Sequence, residues 1–217
     1  MDAEETMKLL IGNPNEPINP DLAPFLEQGS LGEQLRHPLV YQVPLWSYSL
    51  ANKMYAQKKK EIAVALREEQ WSRFIFLHER PYRLQAFQEI QDRLTDIGYW
   101  HLLGEVWIDT ENAWQSIKTW RSLFNSKRSH SHYIMDEVEQ EMYGHLPSKF
   151  TIYRGCSYEN ENGISWTLDK DKAEFFANRC STFGRKGKVI YREIDKKNTV
   201  ALLLGRNEQE IIVRNLR

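Results

Sequence analysis

After Pro147 the chain changes texture, and that change constrains its fold more than any other feature. KFTIYRGC alternates β-forming residues, GISWTL is a short apolar run, GKVIYREI alternates again, and TVALLLG and EIIVRNL are apolar runs of strand length. Between the second and third, DKDKAEFFANRC sets Ala173, Phe176, Ala177 and Cys180 on one face of a helix. A strand-rich unit with one internal helix predicts an α+β domain over residues 147–217.

Upstream the period is helical. Residues 46–146 read as a helical region: Ile62, Leu66, Phe74 and Leu77 form one stripe, and Leu84, Phe87, Ile90, Gln91 and Leu94 form another that stops near Gly98. Pro81 suits the first turn of that second helix, where its missing N–H is harmless. Asp109 is a plausible N-cap for a further helix carrying Trp114, Ile117 and Leu123. Trp100, Trp107 and Trp114 recur every seven residues, which brings them to one side of a continuous helix. Such indoles are either a stacking platform or, as their large burial favours, helical core. Residues 1–45 hold six of the eight prolines, and this stretch reads as an extended arm.

Composition narrows the function classes. A 217-residue chain with 41% hydrophobic and 27% charged residues is long enough for one or two domains with a sizeable core. Its net charge of −1 gives no global case for nucleic-acid or membrane binding, although Arg179, Arg185, Lys186, Lys188, Arg192, Lys196 and Lys197 crowd one C-terminal stretch. Two cysteines, Cys156 and Cys180, are too few for a disulfide-stapled scaffold, and the acidic start lacks a signal-peptide pattern. With no apolar run long enough to span a bilayer, the expectation is a cytoplasmic protein without a membrane partner.

Familiar catalytic motifs are missing. The sequence holds no G-x-G-x-x-G, P-loop, H-E-x-x-H, paired C-x-x-C or G-x-S-x-G. His130-Ser131-His132 lacks a nearby carboxylate or cysteine, so no metal is expected. An ordered set remains: Arg154 in IYRGC, Ser165 and Thr167 in ISWTL, and Glu208 with Glu210 in NEQEIIV. Singly these are a salt-bridge former, a hydroxyl without meaning and a solvated strand face, since alternate strand residues share a face.

Together they resemble the mono-ADP-ribosyltransferases of the arginine–serine–glutamate class, the family of many bacterial toxins. That family has an Arg ending one strand, Ser-x-Ser/Thr on the next and Glu/Gln-x-Glu entering a late strand. The resemblance covers about residues 148–217 and implies a split-sheet catalytic domain that takes NAD as substrate. Breaking the bond between nicotinamide and ribose leaves an oxocarbenium-like sugar, which a preorganised carboxylate stabilises. The resemblance gives that role to Glu210, with Ser165 holding its rotamer, Thr167 fixing the strand and Arg154 clamping a phosphate. It implies that Gly155 lets the backbone approach the nicotinamide amide. It also implies that Phe183 lies against the nicotinamide ring and Arg185 reaches a phosphate from the loop CSTFGRKGK.

Glu208, two residues before Glu210, resembles the pattern of arginine-modifying members, so the implied acceptor is a protein arginine. A nucleic-acid acceptor facing the basic loop is the less favoured partner. Only the ten residues 155–164 separate Arg154 from Ser165, so the helix found there in large toxins is absent or supplied from upstream. Two rival readings accompany this one: an NAD glycohydrolase using the same Glu210, and a non-catalytic interaction module on a degenerate NAD-type fold. Compact size and an unfamiliar helical half would suit a bacterial or phage effector.

Overall fold

The computed structural model describes residues 12, 13, 15–182, 184, 186–205 and 208–214; Phe183 and Arg185 therefore lie outside the described residues. The chain is an α+β protein that divides into two compact units, Met1–Arg93 and Leu94–Arg217. The division falls inside the span 46–146 expected to be one helical region. Helices after Leu94 group with the C-terminal sheet.

In the first unit the arm expected over residues 1–45 contains a sheet. Strands β1 (Leu26–Gly29), β2 (Gly32–His37) and β3 (Val40–Gln42) pair antiparallel in sequence order. The described prolines do not prevent it because they fall outside the strands. Pro24 lies in the 3-10 turn Ala23–Phe25, Pro38 between β2 and β3, and Pro44 beyond β3. Leu22, Leu35, Leu39 and Val40 then bury against Ala51 and Tyr55 of helix α1 (Tyr48–Arg67).

Helices α2 (Trp71–Leu77) and α3 (Arg83–Ile90) complete this unit. Pro81 stands in a separate 3-10 turn, Arg80–Tyr82, and not in the first α-helical turn. Gly98 does not end a helix, because Thr95 starts a new one: its hydroxyl accepts from Gly98 N at 3.1 Å.

The second unit opens with that helix, α4 (Asp96–Asp109), in which Trp100 and Trp107 are buried. Asp109 is its last residue and not the cap of the next. A 3-10 turn, Ala113–Ser116, intervenes before α5 (Ile117–Phe124), whose N-cap residue is Ser116. Trp114 sits in that turn and is 60% exposed, so it does not share a helix with the other two indoles. Helix α6 (Glu137–His145) begins with a capping box: the Asp136 side chain accepts from Glu139 N while Glu139 accepts from Asp136 N.

The five strand-like runs after Pro147 are strands: β4 (Lys149–Cys156), β5 (Ser165–Thr167), β6 (Lys188–Asp195), β7 (Thr199–Leu203) and β8 (Glu210–Val213). Helix α7 (Lys170–Thr182) lies between β5 and β6 in the chain. They form one antiparallel sheet in the order β6-β4-β5-β8-β7. All residues of β7 and β8 are buried, including Glu210. No helix among the described residues is long and apolar enough to cross a membrane.

Candidate functional site

Register brings the site together. Thr167 stands opposite Glu210 and Ser165 opposite Ile212 across the β5–β8 pair. Directly opposed residues share a face, and so do alternate residues of one strand. Ser165, Thr167 and Glu210 therefore occupy one face, with Ser165 and Glu210 as diagonal neighbours. The Ser165 hydroxyl donates to Glu210 Oε1. Thr167 is occupied with the main chain. Its hydroxyl donates to Glu208 O at 2.5 Å and accepts from Asp169 N at 3.0 Å, tying the residues before β8 to the start of α7.

Arg154 enters from the other side. Tyr153 stands opposite Thr167 and so belongs to the face of Ser165 and Glu210, which directs the next residue of β4 to the opposite face. Tyr153–Thr167 is the one β4–β5 pair among the described residues. The Ile164 carbonyl accepts from Val213 N at 2.9 Å, so the following carbonyl, that of Ser165, points toward β4 where the pairing ends. Arg154 Nη1 donates to it, while Nε and Nη2 donate to Asn160 O at 3.3 and 3.0 Å.

Three of the five guanidinium donors are thus engaged, two on the loop between β4 and β5 and one on the first residue of β5. A Cβ on Gly163 would lie 2.2 Å from Arg154 Nη2, so that glycine makes room for the guanidinium. Burial lowers the Arg154 pKa from its ordinary value, and the negative charge of Glu210 acts against that lowering.

Two expectations change here. A Cβ on Gly155 would lie 1.9 Å from Ala173 O and 2.5 Å from Ala177 N, so the space its missing side chain opens is filled by α7 and not left for a ligand. Glu208 is not in a strand with Glu210: β8 begins at Glu210, and Gln209 between them has φ 44°, in the left-handed region. Strand alternation consequently does not set Glu208 on the face of Glu210. Gln209 O accepts from Leu168 N at 3.2 Å, which holds this irregular backbone in place.

The structure adds a residue that the sequence reading left in the core. Trp107 of α4 donates its indole Nε1–H to Glu210 Oε2 at 3.1 Å. The signal available in the sequence is general: a buried indole carries one donor that needs an acceptor. Between them Ser165 and Trp107 put a donor on each carboxylate oxygen of a residue only 4% exposed. Segment 155–164 holds a 3-10 turn, Tyr158–Asn160, and no α-helix.

Cys156 and Cys180 are free thiols, and burial raises the Cys156 pKa. Among the described residues, no group of three or more His, Cys, Asp or Glu could hold a metal ion. No family model, curated protein or solved structure matches this chain.

Proposed function

We propose that the protein is an NAD-dependent mono-ADP-ribosyltransferase acting on a protein arginine. The supporting observation is the Ser165–Glu210 hydrogen bond at the β5–β8 pair, with Arg154 anchored on the carbonyl of that same serine. A carboxylate held by a hydroxyl at the mouth of a strand suits stabilisation of positive charge developing on a ribose. A carboxylate oxygen has more than one lone pair, so a donor already on it does not by itself bar a ribose hydroxyl. In the reaction the ribose C1′–nicotinamide bond breaks and nicotinamide leaves with the electron pair. An arginine nitrogen then bonds to C1′, and its proton is released. Arg154, on the opposite face with three donors committed to carbonyls, fixes the loop and the backbone of Ser165; clamping of a phosphate, expected of it from the sequence, is not its part in this reading.

The test is incubation of the purified protein and a cell lysate with NAD labelled in the adenosine moiety, against Glu210→Gln. Wild type should release nicotinamide and label protein arginines, and the variant should lose at least about 100-fold in rate. Nicotinamide release without labelled macromolecule identifies a glycohydrolase instead. No release under any condition removes the enzymatic reading. For the acceptor, Glu208→Gln should lower transfer to arginine while NAD hydrolysis partly survives; equal loss of both would remove Glu208 from that role.

A further inference from the structure

We propose that Trp107 is a positioning residue for Glu210, setting the plane of its carboxylate; its consequence for rate rests on the function proposed above. The terminal torsion of a glutamate is broad and weakly restrained, so one hydrogen bond leaves the carboxylate free to swing. Ser165 holds Oε1 and the Trp107 indole holds Oε2 at 3.1 Å, and two donors on two oxygens define a plane.

The indole can do this because it is itself immobilised. It meets Trp120 edge-on at 4.9 Å and 83°, and Phe124 edge-on at 5.2 Å and 79°. Trp107 is 3% exposed, Trp120 and Phe124 are 0% exposed, and all three come from helices α4 and α5. The arrangement gives the helices of this unit a task beyond packing. They deliver one N–H to the acid through a ring that is buried and braced by two aromatic neighbours. The low polarity of three stacked or edge-on aromatics also strengthens the bond electrostatically.

A core indole satisfied by whatever acceptor lies nearest would produce the same distance, so the test must separate positioning from packing. In the full chain labelled with ¹⁵N, the Trp107 indole resonance is assigned by its absence from Trp107→Phe, which keeps an aromatic ring but removes the donor. The indole proton should lie downfield in wild type and move upfield in Glu210→Ala. Trp107→Phe should lower kcat for nicotinamide release roughly 10- to 100-fold, since a misplacement of about 1 Å at a reacting group can cost about 100-fold. KM for NAD should stay within about twofold, because the contact orients the acid and does not bind substrate.

An indole resonance indifferent to Glu210→Ala overturns the proposal. So does a folded Trp107→Phe with wild-type kcat. If wild type releases no nicotinamide, the enzymatic reading fails by itself, and the resonance shift alone then decides whether the indole holds the carboxylate. If Trp107→Phe does not fold, that shift is still read on intact Trp107 in Glu210→Ala, with the assignment made by selective labelling.

Discussion

Ser165 and Arg154 meet through a single residue's two ends: the hydroxyl of Ser165 faces Glu210 and its carbonyl faces the guanidinium. A perturbation of the guanidinium is therefore felt at the serine that holds the acid. Gly163→Ala is the cleanest way to apply one. Its added Cβ would fall 2.2 Å from Arg154 Nη2 and 2.4 Å from the guanidinium carbon, and Arg154 cannot yield without leaving its carbonyls. Overpacking of this kind costs about 1–3 kcal/mol, which a shift in the urea midpoint would register. Nicotinamide release should fall as well; an unchanged midpoint with unchanged release would mean the guanidinium has another place to go. Thr167→Val should cost about 1–3 kcal/mol, because it strips a donor from Glu208 O and an acceptor from Asp169 N in a residue only 5% exposed.

At the scale of elements, β2, β3 and the helix α1 behind them share a histidine. His37 closes β2, its Nδ1 accepts from Leu39 N at 3.0 Å, and its ring meets Phe25 and Tyr55 edge-on at 4.6 and 5.0 Å. Burial lowers its pKa from the ordinary value; Asp21 opposes the shift, while His78 and Lys59 add to it. The unfolded chain thus takes up the proton first, at about pH 6.5, and stability rises with pH through that range. Acidification from pH 7.5 to 5.5 should lower the urea midpoint, and His37→Gln should flatten part of that dependence. A midpoint equally pH-dependent in the variant would show that His37 contributes nothing.

Helix α6 is tied to β7 in a comparable way. The buried Glu139 closes the capping box and accepts from Leu204 N at 2.6 Å, just past the end of β7. Replacing it with leucine should cost about 1.5–3 kcal/mol, the range for hydrogen bonds to a charged group, measured by chemical denaturation.

For the whole molecule, the candidate site and the first sheet fall in different units, Leu94–Arg217 and Met1–Arg93. Arg154, Ser165, Glu210 and Trp107 all belong to the second unit, and so do the partners in the hydrogen bonds described above. A chain starting at Leu94 should therefore fold by itself, with one cooperative urea transition and the same Trp107 indole resonance as the full protein. A fragment without fixed tertiary signals would show that the first unit is needed to complete the second.

Local pattern made the α+β class legible, together with every strand after Pro147 and helix α7, because alternation, helical period and turn residues act over a few neighbouring positions. The serine and glutamate were legible as residue types in order. What those side chains touch was not. The Trp107–Glu210 contact joins residues 103 positions apart, and the Arg154 carbonyl partners depend on where β4 and β5 stop pairing. The left-handed Gln209, which removes Glu208 from the strand, and the sheet within the proline-rich arm likewise came from packing. Propensity is a short-range property, whereas strand register and the acceptor a buried donor finds are settled by the closing of the core around them.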